Sequence, residues 1–183
     1  MGFFQTRKAG AVVLAAAVLF GVFFGSHRSL DAVRSDVWTI FEGEGNGSGH
    51  GVKGDLETRR AVGSNLYNLL NDWNYLSPDD PAMATLQDAV GACLVDSTDK
   101  AAQEDLVQAI DQVLSLTEGL DGMREEHSKY ISNFRAQLKS IENTLSRDPY
   151  TAAAKEFNET TLGSFPASVL GPLTGIRELP VYQ

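Results

Sequence analysis

Residues 9–25 read AGAVVLAAAVLFGVFFG, a run with no charged or strongly polar side chain. Arg7 and Lys8 precede it, and His27 and Arg28 follow. At about 1.5 Å of rise per residue, roughly 17 residues of helix span about 25 Å, the short end of what a bilayer core requires. The run predicts a single membrane anchor, residues 1–28 with its flanks, and everything after it hung on one side. A cleaved signal peptide has a similar charged start but ends in small residues at its cleavage site. Here Val22-Phe23-Phe24-Gly25-Ser26 puts bulky Phe23 where a small residue is wanted, and no cysteine follows closely to carry a lipid. A retained anchor is the expectation.

Arg7, Lys8 and the amino terminus flank one side of the run, Arg28 and Arg34 the other, the latter set against Asp31 and Asp36. Acids count little in the positive-inside rule, so the bias is towards a cytoplasmic N-terminus and an extracytoplasmic bulk domain at the cell membrane. The 183 residues carry 15 Lys and Arg against 24 Asp and Glu, a net charge of -9. Such a domain repels phosphate backbones and anionic lipid headgroups, which disfavours both nucleic acid and peripheral lipid binding. After the anchor, about 155 residues suffice for one domain with its own core.

The soluble part reads as helix after helix. Residues 29–41 place Leu30, Val33, Val37 and Phe41 at helical spacing, so a helix leaving the membrane can continue into the domain. GEGNGSGHGVKG, residues 43–54, has six glycines in twelve positions and reads as a flexible connector. From Asp55, a plausible N-cap, to Leu76 the stripe is Leu56, Val62 or Gly63, Leu66, Leu70 and Trp73, with Arg59 and Arg60 off it. SPDDP, residues 77–81, stops one helix and starts another, with Asp79 or Asp80 as cap; Met83, Leu86, Val90, Cys93 and Leu94 follow. Asp99 can cap a helix carrying Leu106, Ile110, Val113 and Leu114, ended by Gly119 and Gly122. Met123, His127, Tyr130, Ile131, Phe134, Leu138, Ile141 and Leu145 make the longest stripe. Pro149 kinks that helix or opens a new one capped by Asp148, and Tyr150, Ala153, Ala154, Phe157 and Leu162 continue a helical face. The tail from residue 164, with three prolines and two glycines, is expected to pack Phe165, Val169, Leu170, Leu173, Ile176, Leu179 and Val181 onto the bundle in irregular turns.

Isolated amphipathic helices are marginal in water, so these stripes must bury one another, and short connections favour antiparallel neighbours. The expected fold is all-α: an N-terminal transmembrane helix, then an up-and-down bundle of about four principal helices over residues 29–163, then a tail over 164–183.

No catalytic constellation accompanies this pattern. There is no Gly-x-Ser-x-Gly, His-Glu-x-x-His, Cys-x-x-Cys or dinucleotide fingerprint. In the glycine run, Lys53 is followed by Gly54 and Asp55 rather than by Ser or Thr, and no alternating acids build a calcium loop. His50 has no ligand partner at useful spacing, and Glu125, Glu126 and His127 point about 100° apart on a helix. His127 reads as a packing residue, and Cys93, alone in the chain, as a small buried hydrophobe. Asn46-Gly-Ser and Asn158-Glu-Thr fit a glycosylation pattern that matters only in a eukaryotic secretory pathway. Neither a catalytic residue, a metal ligand nor a cofactor-binding residue is assigned.

The C-terminal third carries Glu142-Asn143, Tyr150, Phe157-Asn158, Phe165-Pro166 and a closing Leu170-Gly-Pro-Leu-Thr-Gly-Ile176 with Tyr182. That series resembles the LemA family, bacterial proteins with an N-terminal membrane helix, a helical bundle and a short apolar Gly-rich tail. Phe41, the glycine run, Asp55-Leu56, Arg59 and Asn65-Leu66 resemble a divergent LemA-like branch. Thr151 departs from the family's Asn, and Pro149 interrupts a helix that the family keeps continuous. The resemblance implies no catalytic residue; Glu142, Asn143, Tyr150, Phe157, Asn158, Phe165 and Pro166 are read as helix-packing and tail-docking positions. The expected function is a non-catalytic adaptor or scaffold in the bacterial envelope, acting through contacts with a protein partner that the sequence does not name. The competing expectation is a ligand-binding sensor or hydrolase, with a pocket between helices near Glu126 and His127.

Overall fold

A computed structural model describes residues 7–43 and 51–182 of the chain. Seven α-helices follow in order: α1 Arg7–Glu42, α2 Val52–Asp72, α3 Pro81–Val95, α4 Lys100–Glu118, α5 Glu125–Arg147, α6 Pro149–Glu156 and α7 Ala167–Thr174. Between α6 and α7 the chain makes π-helical turns over Phe157–Leu162. Among the described residues there is no strand. The all-α expectation holds.

The chain divides into two units, Met1–Trp38 with Ala152–Pro180, and Thr39–Thr151 with Val181–Gln183. The division falls inside α1 and inside α6.

In the larger unit, α2 packs on α3, α4 and α5, and α3 packs on α4. The buried positions of α2 are Val52, Leu56, Arg59, Val62, Gly63, Leu66 and Leu70. Apart from Val62, they follow alternating steps of four and three, the seam of a helix packed along its length. At Gly63 a Cβ would stand 3.1 Å from Leu106 Cδ1 and 3.2 Å from both Ile110 Cδ1 and Val90 Cγ2. Glycine there lets α2 approach α3 and α4 closely. Leu86, Cys93, Leu106, Ile110 and Val113 complete this core. Leu94, expected on the buried stripe of α3, is exposed, because Cys93 already holds the inward position and Leu94 is turned about 100° from it.

Helix ends follow the local chemistry. Asp80 accepts from the Ala82 amide at 2.8 Å, with Pro81 opening α3. Asp99 accepts from Ala101 at 2.8 Å and Ala102 at 3.4 Å at the start of α4. Asp148 accepts from the Tyr150 amide at 2.8 Å, so Pro149 opens α6 instead of kinking α5. Two expected ends move. α2 stops at Asp72 rather than Leu76, because Asn74 adopts a left-handed φ of 56°. The Asn74 amide then reaches Asn71 O at 3.0 Å and the Tyr75 amide reaches Leu70 O at 3.2 Å, a Schellman closure. α2 also begins at Val52, one turn before Asp55, with Gly51 as its extended N-cap. That extra turn buries Val52 and places Asp55 where the helix dipole favours an acid. A Cβ on Gly51 would fall onto Phe41 O and the Gly43 amide, so the two ends of the glycine run are pressed together. Residues 44–50, including Asn46 and His50, lie outside the described residues.

In the smaller unit, α1 forms one helix through the apolar run, and that run is long and apolar enough to cross a membrane. Its large side chains, Val12 to Phe24, are exposed or half-buried. The tail departs from expectation by folding into α7, which packs on the π-helical turns, with Gly171 seated against Leu162. Asn158 pairs with the backbone of Leu179 through both amide groups, Nδ2 to O at 2.9 Å and the Leu179 N–H to Oδ1 at 2.8 Å. Ile176 and Leu179 are buried as expected, but Phe165, Val169 and Leu173 are not.

Gly51→Ala is expected to destabilise the chain by about 1–3 kcal/mol, because main-chain atoms must move to admit the methyl group. Gly91→Ala, in α3 with open space around it, is expected to stabilise by about 0.5–1 kcal/mol. Urea unfolding of the two variants beside the parent checks both signs.

Candidate functional site

The larger unit holds a cavity of about 320 Å³ between α2, the first turns of α4 and the end of the chain. Its wall includes Arg59, Lys100, Gln103, Glu104 and Tyr182. The capped start of α4 positions three of these, since Lys100, Gln103 and Glu104 fall on one face by their spacing of three and four. Tyr182 reaches the same wall because its hydroxyl donates to Thr98 O, just ahead of α4. Its ring stacks on Phe41 at 5.9 Å between centroids, and Phe41 meets Tyr150 at 5.1 Å. Asp96 in turn fixes Thr98, accepting from its amide at 2.8 Å and its hydroxyl at 2.7 Å. Those bonds hold the Asp96 carboxyl below its ordinary pKa.

Two polar side chains on this wall are almost fully buried, Arg59 at 2% exposure and Gln103 at 1%. Gln103 Nε2 donates to Ser97 O at 3.0 Å, which fixes the amide and leaves Oε1 without a partner. Arg59 Nη2 has no partner either. Burial pulls the guanidinium below its ordinary pKa; the charge of Glu142, and then those of Cys93 and Asp55, oppose the shift. A buried donor and a buried acceptor without partners are each expensive, by about 1–3 kcal/mol or more for a charged group. The cavity itself has a charged rim, with Lys100 and Glu104 paired at 3.6 Å. It contains no nucleophile paired with a base. Arg59 was read from sequence as lying off the stripe, and the structure corrects this. The signal was present in the register, because residue 59 continues the alternating spacing of Val52, Leu56, Gly63, Leu66 and Leu70.

His127 is taken up in packing. Its ring lies on Trp73, centroids 3.8 Å apart and 1° from parallel, and meets Tyr75 edge-on. The Arg124 amide donates to Tyr75 Oη at 3.0 Å, and the same hydroxyl is hydrogen-bonded with His127 Nδ1 at 3.1 Å. Glu126 is exposed, and Glu125 pairs with Lys129 at 2.8 Å. An aromatic stack at His127 joins the end of α2 to α5. Cys93 is buried, with Sγ donating to Ala102 O at 3.3 Å. Burial raises its thiol pKa, against the opposing charges of Arg59 and Arg60. Among the described residues, no three His, Cys, Asp or Glu side chains gather to hold a metal.

The seven residues of the LemA-like series separate. Tyr150 and Phe157 are buried, and Asn158 holds the tail. Glu142, Asn143, Phe165 and Pro166 are exposed, so burial in the core does not account for them. No family model, no curated protein and no solved structure matches the chain.

Arg59→Met should raise stability by about 1 kcal/mol or more, since it removes a buried guanidinium whose Nη2 is unbonded and keeps the volume; thermal unfolding measures it. The raised thiol pKa of Cys93 lowers its thiolate fraction at pH 7–8, and burial blocks access. Maleimide labelling should therefore be negligible in the folded chain and complete in denaturant.

Proposed function

We propose that the chain is a single-pass, membrane-anchored, LemA-like bundle protein of the bacterial envelope. It acts as a non-catalytic adaptor or scaffold through protein contacts, with its bulk domain extracytoplasmic. The observation that carries this reading is α1. From Gly10 to Gly25 none of its described residues is buried, and the helix continues without a break to Glu42. Cleavage after residue 25, as in a signal peptide, would cut inside a continuous helix. The acidic balance of the soluble part keeps it away from anionic surfaces and leaves proteins as its natural partners.

One observation favours a second reading within the same architecture, a ligand-binding sensor. Arg59, Lys100, Gln103, Glu104 and Tyr182 line a cavity of about 320 Å³ whose polar wall suits a small polar molecule. The hydrolase form of that alternative finds no support in this cavity.

Protease treatment of intact cells carrying a C-terminally tagged chain tests the topology. The expected result is loss of the tag from outside while a fragment containing α1 stays in the membrane fraction. Protection until the membrane is broken overturns the extracytoplasmic placement. Recovery of a soluble mature chain lacking residues 1–25 overturns the anchor.

A further inference from the structure

We propose that α7, together with Phe165, lies in the headgroup–acyl boundary of the bilayer as a second, interfacial membrane contact; this rests on the reading of α1 as a membrane anchor. The sequence of α7, ASVLGPLT, has no charged residue. A helix that is apolar on every face is normally covered on every face. Here one side is covered: Gly171 sits against Leu162, while Pro166, Ala167 and Leu170 border a groove with Gly25, Ser29 and Leu30 of α1. The other side is open. Phe165 is 85% exposed, Val169 53% and Leu173 66%, at intervals of four residues.

The neighbouring stretch of α1 identifies what covers that face. The apolar run ends at Phe24 and Gly25, and His27 and Arg28 follow at once. Residues 25–30 rise about 7.5 Å along the helix, comparable to the thickness of one headgroup layer. The groove therefore holds α7 at the level where the bilayer core gives way to headgroups. Interfacial helices bury their apolar faces about 5–10 Å deep at this level. Charge fits as well. The unit containing α1 and α7 carries six Lys and Arg against five Asp and Glu, whereas the other unit carries nine against 19. Lipid headgroups thus meet the one part of this acidic chain that does not repel them. Arg34 Nε donates to Arg177 O at 3.4 Å, tying the chain just beyond α7 to the same helix.

The full-length chain reconstituted in phosphatidylcholine vesicles tests this, with an environment-sensitive fluorophore on one introduced thiol in a Cys93→Ala background. The labelled positions are Leu173→Cys on α7, Val18→Cys in the anchor and Lys129→Cys on the bundle. Expected are blue-shifted emission at 173 and 18, about a two-fold loss of fluorescence at 173 with lipid nitroxides placed just below the headgroup, and neither effect at 129. Protection at 18 with water-like emission at 173 overturns the α7 contact while the anchor stands. Water-like emission at 18 overturns the anchor and the proposal with it. A blue shift at 173 without nitroxide quenching means that protein, such as a second copy of the chain, covers the face, and also overturns it.

Discussion

The close approach of α2 to α3 and α4 at Gly63 is the constraint on which the larger unit depends. With no side chain at that position, the methyl groups of Leu106, Ile110 and Val90 come within ordinary contact of the α2 backbone. A helix held that tightly at one point is held along its seam, because alternating steps of four and three keep one edge facing its neighbours. Arg59 lies on that edge about one turn before Gly63. Its burial follows from the packing of Leu56, Gly63, Leu66 and Leu70. The guanidinium cannot turn to solvent without α2 rotating the whole seam out.

The same unit is closed by residues far apart in the chain. Phe41 ends α1, Tyr150 opens α6 and Tyr182 lies at the C-terminus, yet the three rings form one cluster. Tyr182 also reaches Thr98 O, so the last residues of the chain complete one wall of the cavity. Burial and neighbouring charges push the phenol of Tyr182 well above its ordinary pKa, so it stays a donor at any physiological pH. The cavity exists only while the chain end is docked, which couples its shape to the stability of that aromatic cluster.

Much of this was legible in the sequence, for definite reasons. Asp80, Asp99 and Asp148 precede helices as caps, and Pro81 and Pro149 open helices where a missing N–H does no harm. The apolar run and the 3.6-residue stripes define the helices because hydrophobic period is the strongest local signal. Three features were not legible. Arg59 was assigned to solvent because a charge on a helix is normally exposed, and only its register argued otherwise. The early start of α2 depends on Gly51 packing against residues 41–43, a contact invisible to local pattern. The tail was read as buried because apolar residues in a soluble chain seek a core. Yet Phe165, Val169 and Leu173 face outward, since the inner side of α7 is already filled by Gly171 and Leu170.

Sequences that specify one structure satisfy their local rules nearly everywhere, and departures concentrate where the chain does something beyond folding. This chain departs in two opposite ways. In the larger unit, one buried donor and one buried acceptor lack partners, Arg59 Nη2 and Gln103 Oε1. In the smaller unit, apolar surface is left uncovered, on the run of α1 and on α7. Neither departure repairs the other, because the two belong to different units and call for different surroundings. A hydrocarbon phase relieves the second but would worsen the first. An account of the protein that supplies only a membrane, or only a soluble partner, leaves half of its unpaired surface unexplained.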